Sequence, residues 1–124
     1  MKPRIAVVED NPDNRLLVRA LLEDRFDLAE FETGLEAMAG LLQAGPDLVL
    51  LDISLPGMDG GEVLRWIRVQ EGLRSVPVVA LTAHAMAGDR EKFMAMGFDE
   101  YLAKPIVDEG LLLDILSRFL EPQV

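Results

Sequence analysis

Hydrophobic positions follow two alternating rhythms along this chain. Runs that are apolar throughout occupy residues 5–8 (IAVV), 48–51 (LVLL) and 76–81 (VPVVAL). Short runs without polar alternation fit strands buried on both faces. Pro77 is tolerable because it sits near the start of its run. Two weaker runs, 26–31 and 98–102, complete a set of five strands.

Between these runs the period becomes helical. Asn11 and Pro12 read as N-cap and first helical position, ahead of a face carrying Leu17, Ala20 and Leu21. Leu35, Met38, Ala39 and Leu42 predict a second helix, stopped by Gly45-Pro46. Asp59 and Glu62 stand at capping-box spacing before a third, which turns Val63, Leu64 and Ile67 inward with Trp66 packed among them. A fourth helix is expected over 88–96. Leu111, Leu112, Ile115, Leu116 and Phe119 give a fifth helix one apolar face.

Five strands, each followed by a helix, predict an α/β fold: a parallel sheet, doubly wound, with helices on both faces. Right-handed crossovers bring every strand's C-terminal end to one edge of the sheet. Ligands of such open sheets bind at that edge, where the strand order reverses.

The chemistry gathers there. Glu9 and Asp10 close the first strand, Asp52 the third and Thr82 the fourth, while Lys104-Pro105 follows the fifth. An unpaired carboxylate at the end of a buried run such as Leu48 to Leu51 is costly, and three would repel one another. A divalent cation resolves this, and hard oxygen ligands suit magnesium. Three carboxylates carry −3; magnesium brings them to −1 and Lys104 to zero. The Thr82 hydroxyl and the Lys104 ammonium can hold phosphoryl oxygens, which makes Asp52 a nucleophile for phosphoryl transfer.

Composition narrows the classes further. The 124 residues are 50% hydrophobic and 27% charged, as in a soluble globular domain. The net charge of −10, from 22 acidic and 12 basic residues, repels phosphate backbones and argues against direct nucleic-acid binding. The chain has no cysteine, so no disulfide and no thiolate metal site. No apolar run approaches the roughly 20 residues that span a bilayer. The four-residue run after Met1-Lys2-Pro3-Arg4 is too short for a signal peptide, so the expected location is cytoplasmic.

In order and spacing, the segments VVEDNPDNR (7–15), LLDISLPGMDG (50–60), VVALTAHAM (78–86) and DEYLAKP (99–105) resemble the receiver domains of two-component response regulators. The resemblance covers the whole chain and implies a single receiver domain over 1–124 with flavodoxin-like strand order 2-1-3-4-5. It implies magnesium on the side chains of Glu9, Asp10 and Asp52 and on the Ser54 backbone carbonyl. Asp52 would accept a phosphoryl group from a histidine kinase or a histidine phosphotransfer protein, with Thr82 and Lys104 on the phosphoryl oxygens. Lys104-Pro105 would be cis, and Tyr101 would be the aromatic switch partner of Thr82. Ala83 is small enough to admit the phosphoryl group. Glu9 stands where many members carry aspartate.

Ser54, Ala83 and the single histidine, His84, are expected to flank the phosphoryl group, with Ser54 and His84 helping to set its hydrolysis. The chemistry would be limited to self-catalysed phosphotransfer and autodephosphorylation, without enzymatic turnover of a substrate. A downstream protein would read the face made by the fourth helix, fifth strand and fifth helix, which includes Met86 and Met94; Met86, Met94 and Met96 fit either an adaptable contact surface or ordinary core filling. Pro122-Gln123-Val124 follows the fifth helix directly, so a relay or a protein-binding output is expected. The alternatives are a phosphorylation-independent scaffold and a receiver excised from a hybrid histidine kinase. A flavodoxin-like cofactor binder fits less well, because the loop after the first strand is acidic. A haloacid-dehalogenase-like phosphatase would need its aspartate after the first strand with a second acid two residues on, whereas Asp52 follows the third strand and Ser54 comes after it.

Overall fold

In the computed structural model, which describes residues 2–58, 60–83, 88–106 and 108–120, strands and helices alternate strictly. The order is β1 (Arg4–Val8), α1 (Pro12–Leu22), β2 (Asp27–Phe31), α2 (Gly34–Ala44), β3 (Leu48–Asp52), α3 (Gly60–Val69), β4 (Val78–Thr82), α4 (Asp89–Met96), β5 (Glu100–Ala103) and α5 (Glu109–Phe119). All strand pairs are parallel, in the order β2-β1-β3-β4-β5. The chain reverses direction across the sheet between β1 and β3, which puts Glu9 beside Asp52.

The pleat explains the unbroken apolar runs. Ala6, Val8, Val49, Leu51, Val78 and Ala80 face one core, with residues of α2, α3 and α4. Ile5, Val7, Leu48, Leu50, Val79 and Leu81 face the other, with residues of α1 and α5. Strands β1, β3 and β4 lie inside the sheet and have no solvent side on which to place a polar residue. The edge strands β2 and β5 are partly exposed, which is why their runs are weak. Pro77 falls just before β4, where its carbonyl accepts from the Val49 N–H.

Both predicted helix ends around α1 and α2 are present. The Asn11 side chain accepts from the N–H groups of Asp13 and Asn14, and Gly45 ends α2 in the left-handed region. Asp59 lies outside the described residues, so its half of the capping box is not placed.

Two helix faces differ from the sequence reading. In α1 the buried residues are Val18 and Leu22, while Leu17 and Leu21 are half-buried and Ala20 is exposed. Apolar residues at 16, 17, 18, 20, 21 and 22 form overlapping stripes, and spacing alone does not rank them. In α2 the buried residues are Gly34, Ala37 and Leu41, and Met38 is half-buried. Leu35 and Leu42, whose spacing predicted the helix, are 69% and 50% exposed, and Ala39 is exposed too. Close packing is the cause: a Cβ on Gly34 would lie 2.9 Å from the Met58 sulfur, and one on Gly40 2.6 Å from the Phe31 ring. Small residues form the tight face, and the larger leucines are displaced outward.

Helix α4 is held by a single buried side chain, Phe93, whose ring contacts Phe98 and Tyr101. Met94 and Met96 are exposed, and Met86 lies outside the described residues. Leu111 of α5 is also exposed, while Leu112, Ile115 and Leu116 are buried. No helix among the described residues is long and apolar enough to cross a membrane.

Candidate functional site

The parallel sheet delivers four charged groups to its carboxyl edge. Glu9 directly follows β1, and its N–H donates to the Phe31 carbonyl at 3.0 Å. Asp52 is the last residue of β3. Lys104 follows β5, and its backbone N–H donates to the Thr82 carbonyl at 2.7 Å, setting it beside the end of β4. The Lys104-Pro105 peptide is cis.

Lys104 Nζ lies 2.9 Å from Asp52 Oδ2 and 3.1 Å from Glu9 Oε1. The side chains of Glu9 and Asp52 are 0% and 1% exposed, so this ammonium bridges two carboxylates withdrawn from water. Among the described residues each carboxylate has one further donor: the Asn11 N–H reaches Glu9 Oε2 at 3.0 Å, and the Ser54 N–H reaches Asp52 Oδ1 at 2.9 Å. Asp10 is exposed, yet oxygen atoms of Glu9, Asp10 and Asp52 lie within 4.8 Å of one another.

Burial pushes the Glu9 carboxyl above its ordinary 4.5. The Asn11 N–H opposes the rise, the Asp52 charge adds to it, and Lys104 opposes it without cancelling it. Burial alone would lower Lys104, but its hydrogen bond to Asp52 and the charges of Asp52 and Glu9 outweigh that and hold it above 10.5. One ammonium serves two carboxylates with a third close by, which leaves excess negative charge at the edge. An all-oxygen, strongly acidic donor set of this kind fits a hard divalent cation.

The other residues singled out by sequence are placed as follows. Thr82 is buried at the end of β4, and Ala83 beside it is exposed. Ser54 is exposed on the loop after Asp52. Tyr101 is half-buried, its ring 5.6 Å from that of Phe93. His84 lies outside the described residues.

Gly60 was not legible as a site residue. A Cβ there would lie 2.6 Å from Ile53 Cα and 2.8 Å from the Asp52 carbonyl oxygen. The first residue of α3 therefore rests directly on the backbone of the Asp52 loop, and only glycine allows the approach. The glycine pair after Asp59 was the available signal. Glu100 was missed as well. It is a buried carboxylate on the edge strand β5, paired with Arg90 of α4 and, at 2.9 Å, with Arg118 of α5.

Residues 5–116 match the family model described as the response regulator receiver domain. This chain belongs to that family. The sensor protein GacS of Pseudomonas syringae is 44% identical over 119 residues, which are 93% of this chain and 13% of that protein. The histidine kinase BarA of Escherichia coli is 41% identical over 130 residues, 97% of this chain and 14% of that protein. The chain thus spans about one seventh of the length of these sensor relatives. The polar-differentiation response regulator DivK of Brucella ovis is 41% identical over 107 residues, and there the match covers 86% of this chain and 87% of the relative.

Among solved structures, the receiver domain of a Pseudomonas aeruginosa sensor histidine kinase has 38% identity and a TM-score of 0.85, covering 96% of this chain and 98% of that one. That structure holds a magnesium ion coordinated in its active site cleft. As a receiver domain, this chain is a phosphoacceptor module of two-component signalling, a class that works with histidine kinases and downstream targets. In this chain Glu9, Asp10 and Asp52 form an acidic cluster that could hold a metal ion.

Proposed function

We propose that Asp52 is the residue that takes the phosphoryl group, from a histidine kinase or a histidine phosphotransfer protein. The supporting observation is the buried Lys104 bridge between Asp52 and Glu9, at the point where the Asp10 carboxylate also converges. A lone pair on an Asp52 carboxylate oxygen forms the new O–P bond. The P–N bond of the donor phosphohistidine breaks, and its electron pair returns to the imidazole. The Ser54 N–H on Oδ1 and Lys104 on Oδ2 fix the carboxylate plane for that attack. Glu9, Asp10 and Asp52 would hold magnesium by side chain and Ser54 by its carbonyl, and the metal would supply charge neutralisation for the phosphoryl oxygens. Thr82 and Lys104 then hold those oxygens. Ala83 leaves room for the group, while Ser54 and His84 flank it and help set its hydrolysis by water.

Output follows from charge. Phosphorylation replaces the single negative charge of the Asp52 carboxylate with about −1.5 to −2, where Lys104 had partly balanced the carboxylates. Thr82 moves toward the new oxygens, and the Tyr101 ring turns into the space it leaves. This reshapes the α4–β5–α5 face, where a groove of about 600 Å³ is lined by Arg90, Tyr101, Leu102, Leu111 and Arg118 among others. A downstream protein that binds this face better in one state reads the change.

Treating the protein with acetyl phosphate and following intact mass tests the reading. One phosphoryl group per chain is expected with magnesium present, and at least tenfold slower labelling with the metal chelated. Labelling at equal rates with and without magnesium would defeat the reading.

The groove also carries a stability prediction. Burial opposes ionisation of Glu100, but its hydrogen bonds to Arg90 and Arg118 outweigh that and hold its carboxyl below the ordinary 4.5. A carboxyl lowered by folding stabilises the fold fully above its unfolded value, and that contribution is lost as pH falls through the folded one. Glu100→Gln is therefore expected to cost about 1.5–3 kcal/mol at pH 7, the range for hydrogen bonds to charged groups. The deficit should shrink well below pH 4. Urea unfolding at both pH values checks this, and a deficit independent of pH would point to lost packing instead.

A further inference from the structure

Arg15 of α1 reaches back over the loop that carries Glu9 and Asp10. Its Nη1 donates to the Glu9 carbonyl at 2.9 Å and to the Asp10 carbonyl at 3.1 Å, and its own backbone N–H donates to the Asn11 carbonyl at 3.1 Å. Three consecutive carbonyls of the acidic loop thus converge on one residue. The guanidinium is itself anchored on the far side: Nη2 lies 3.0 Å from Glu32 and Nε 3.6 Å from Glu30. Its side chain is 15% exposed.

The consequence falls on Asp10. Glu9 and Asp52 are held through their own carboxylates by Lys104 and by backbone N–H groups. The Asp10 carboxylate makes no hydrogen bond or ion pair with the described residues, so its direction is set by its backbone. The peptide groups on both sides of Asp10 are the ones whose carbonyls Arg15 holds.

We propose that Arg15 is a positioning residue for the magnesium site, aligning Asp10 with Glu9 and Asp52 by pinning the loop carbonyls. The inference rests on the magnesium-dependent reading of this site. The planar fork matters more than the charge, because Glu30 and Glu32 already offset the charge.

Magnesium titrations followed by amide NMR shifts near Asp10 and Ser54, with thermal melts alongside, test it. Coulomb's law alone predicts tighter magnesium binding when a cation is removed; positioning predicts weaker. Arg15→Ala is expected to bind magnesium about tenfold more weakly, the lower bound typical of groups that orient metal ligands. Arg15→Lys keeps the charge but loses the fork, and should be weakened several-fold; it also serves if Arg15→Ala folds poorly.

Arg19 provides the control. It pairs with the same Glu30 through Nε and Nη2 at 2.9 and 2.7 Å, and among the described residues its side chain makes no bond to the loop. Arg19→Ala should therefore keep wild-type magnesium affinity. Affinity in Arg15→Ala equal to or tighter than wild type, or an equal loss in Arg19→Ala, would overturn the inference. Wild-type protein that ignores magnesium would overturn the metal reading itself.

Discussion

Asp52→Asn is expected to gain no phosphoryl group under conditions that label the wild type fully. The amide is nearly isosteric. It retains an oxygen for the Ser54 N–H, which reaches Oδ1 at 2.9 Å in the wild type, while its NH2 cannot accept from Lys104 and that bond is lost. The side-chain cavity and the backbone of β3 are thus kept. The anionic oxygen whose lone pair would form the new bond is lost, and a neutral amide is a poor nucleophile toward phosphorus. One carboxylate of the Glu9, Asp10 and Asp52 cluster is lost with it. The effect should therefore be complete loss of labelling in a folded protein, read by intact mass with circular dichroism as the folding control. Equal labelling of the two proteins would remove Asp52 from the role.

Lys104→Met is expected to be the most destabilising single change at the site in metal-free protein near neutral pH. Methionine matches the stem of lysine but carries no charge, so two almost fully buried carboxylates lose the ammonium they share. Removing one partner of a buried ion pair costs about 3–5 kcal/mol, because the remaining charge is left uncompensated. The pH dependence has a definite sign. Lys104 is raised above 10.5, so the wild-type bridge is fully present below that value and is lost only as pH rises through the higher folded one.

Glu9 is also raised, so its cost as an ion is absent below 4.5, grows as pH rises from there to its folded value, and is constant above it. The variant lacks the Lys104 contribution that pulls Glu9 down, so its folded value is higher still and the cost, setting in from the same 4.5, goes on growing to a higher pH. Its deficit should shrink on acidification from pH 7 toward 5, and also on adding magnesium. Urea midpoints across that range would show both trends. Wild-type stability in the variant would mean that the ammonium does not bridge the carboxylates in solution.

The alternation of elements was legible because β1, β3 and β4 are buried on both faces and need unbroken apolar runs. The acidic residues were legible for a topological reason. In a parallel sheet every strand end lies on one edge, so Glu9, Asp10, Asp52 and Lys104 must meet there whatever the details of packing. What stayed hidden depends on distances between elements. Leu35 and Leu42 have helical spacing, but Gly34 and Ala37 take the inner face because α2 packs too closely for leucine. Arg15 sits in a quoted motif, yet nothing in the sequence says that its side chain folds back onto the Glu9 and Asp10 carbonyls. Glu100 looks like an ordinary charged residue until β5 becomes an edge strand with an arginine on each neighbouring helix. Gly60 acquires its role only from the approach of α3 to the Asp52 backbone.

Borohydride reduction of acetyl-phosphate-treated protein, followed by peptide sequencing, tests the central claim most directly. Reduction converts an aspartyl phosphate into homoserine at the residue that carried the group. The account predicts homoserine at position 52, dependent on magnesium, with Asp10 unmodified. Homoserine at position 10, or phosphate on a residue that borohydride does not reduce, would contradict it.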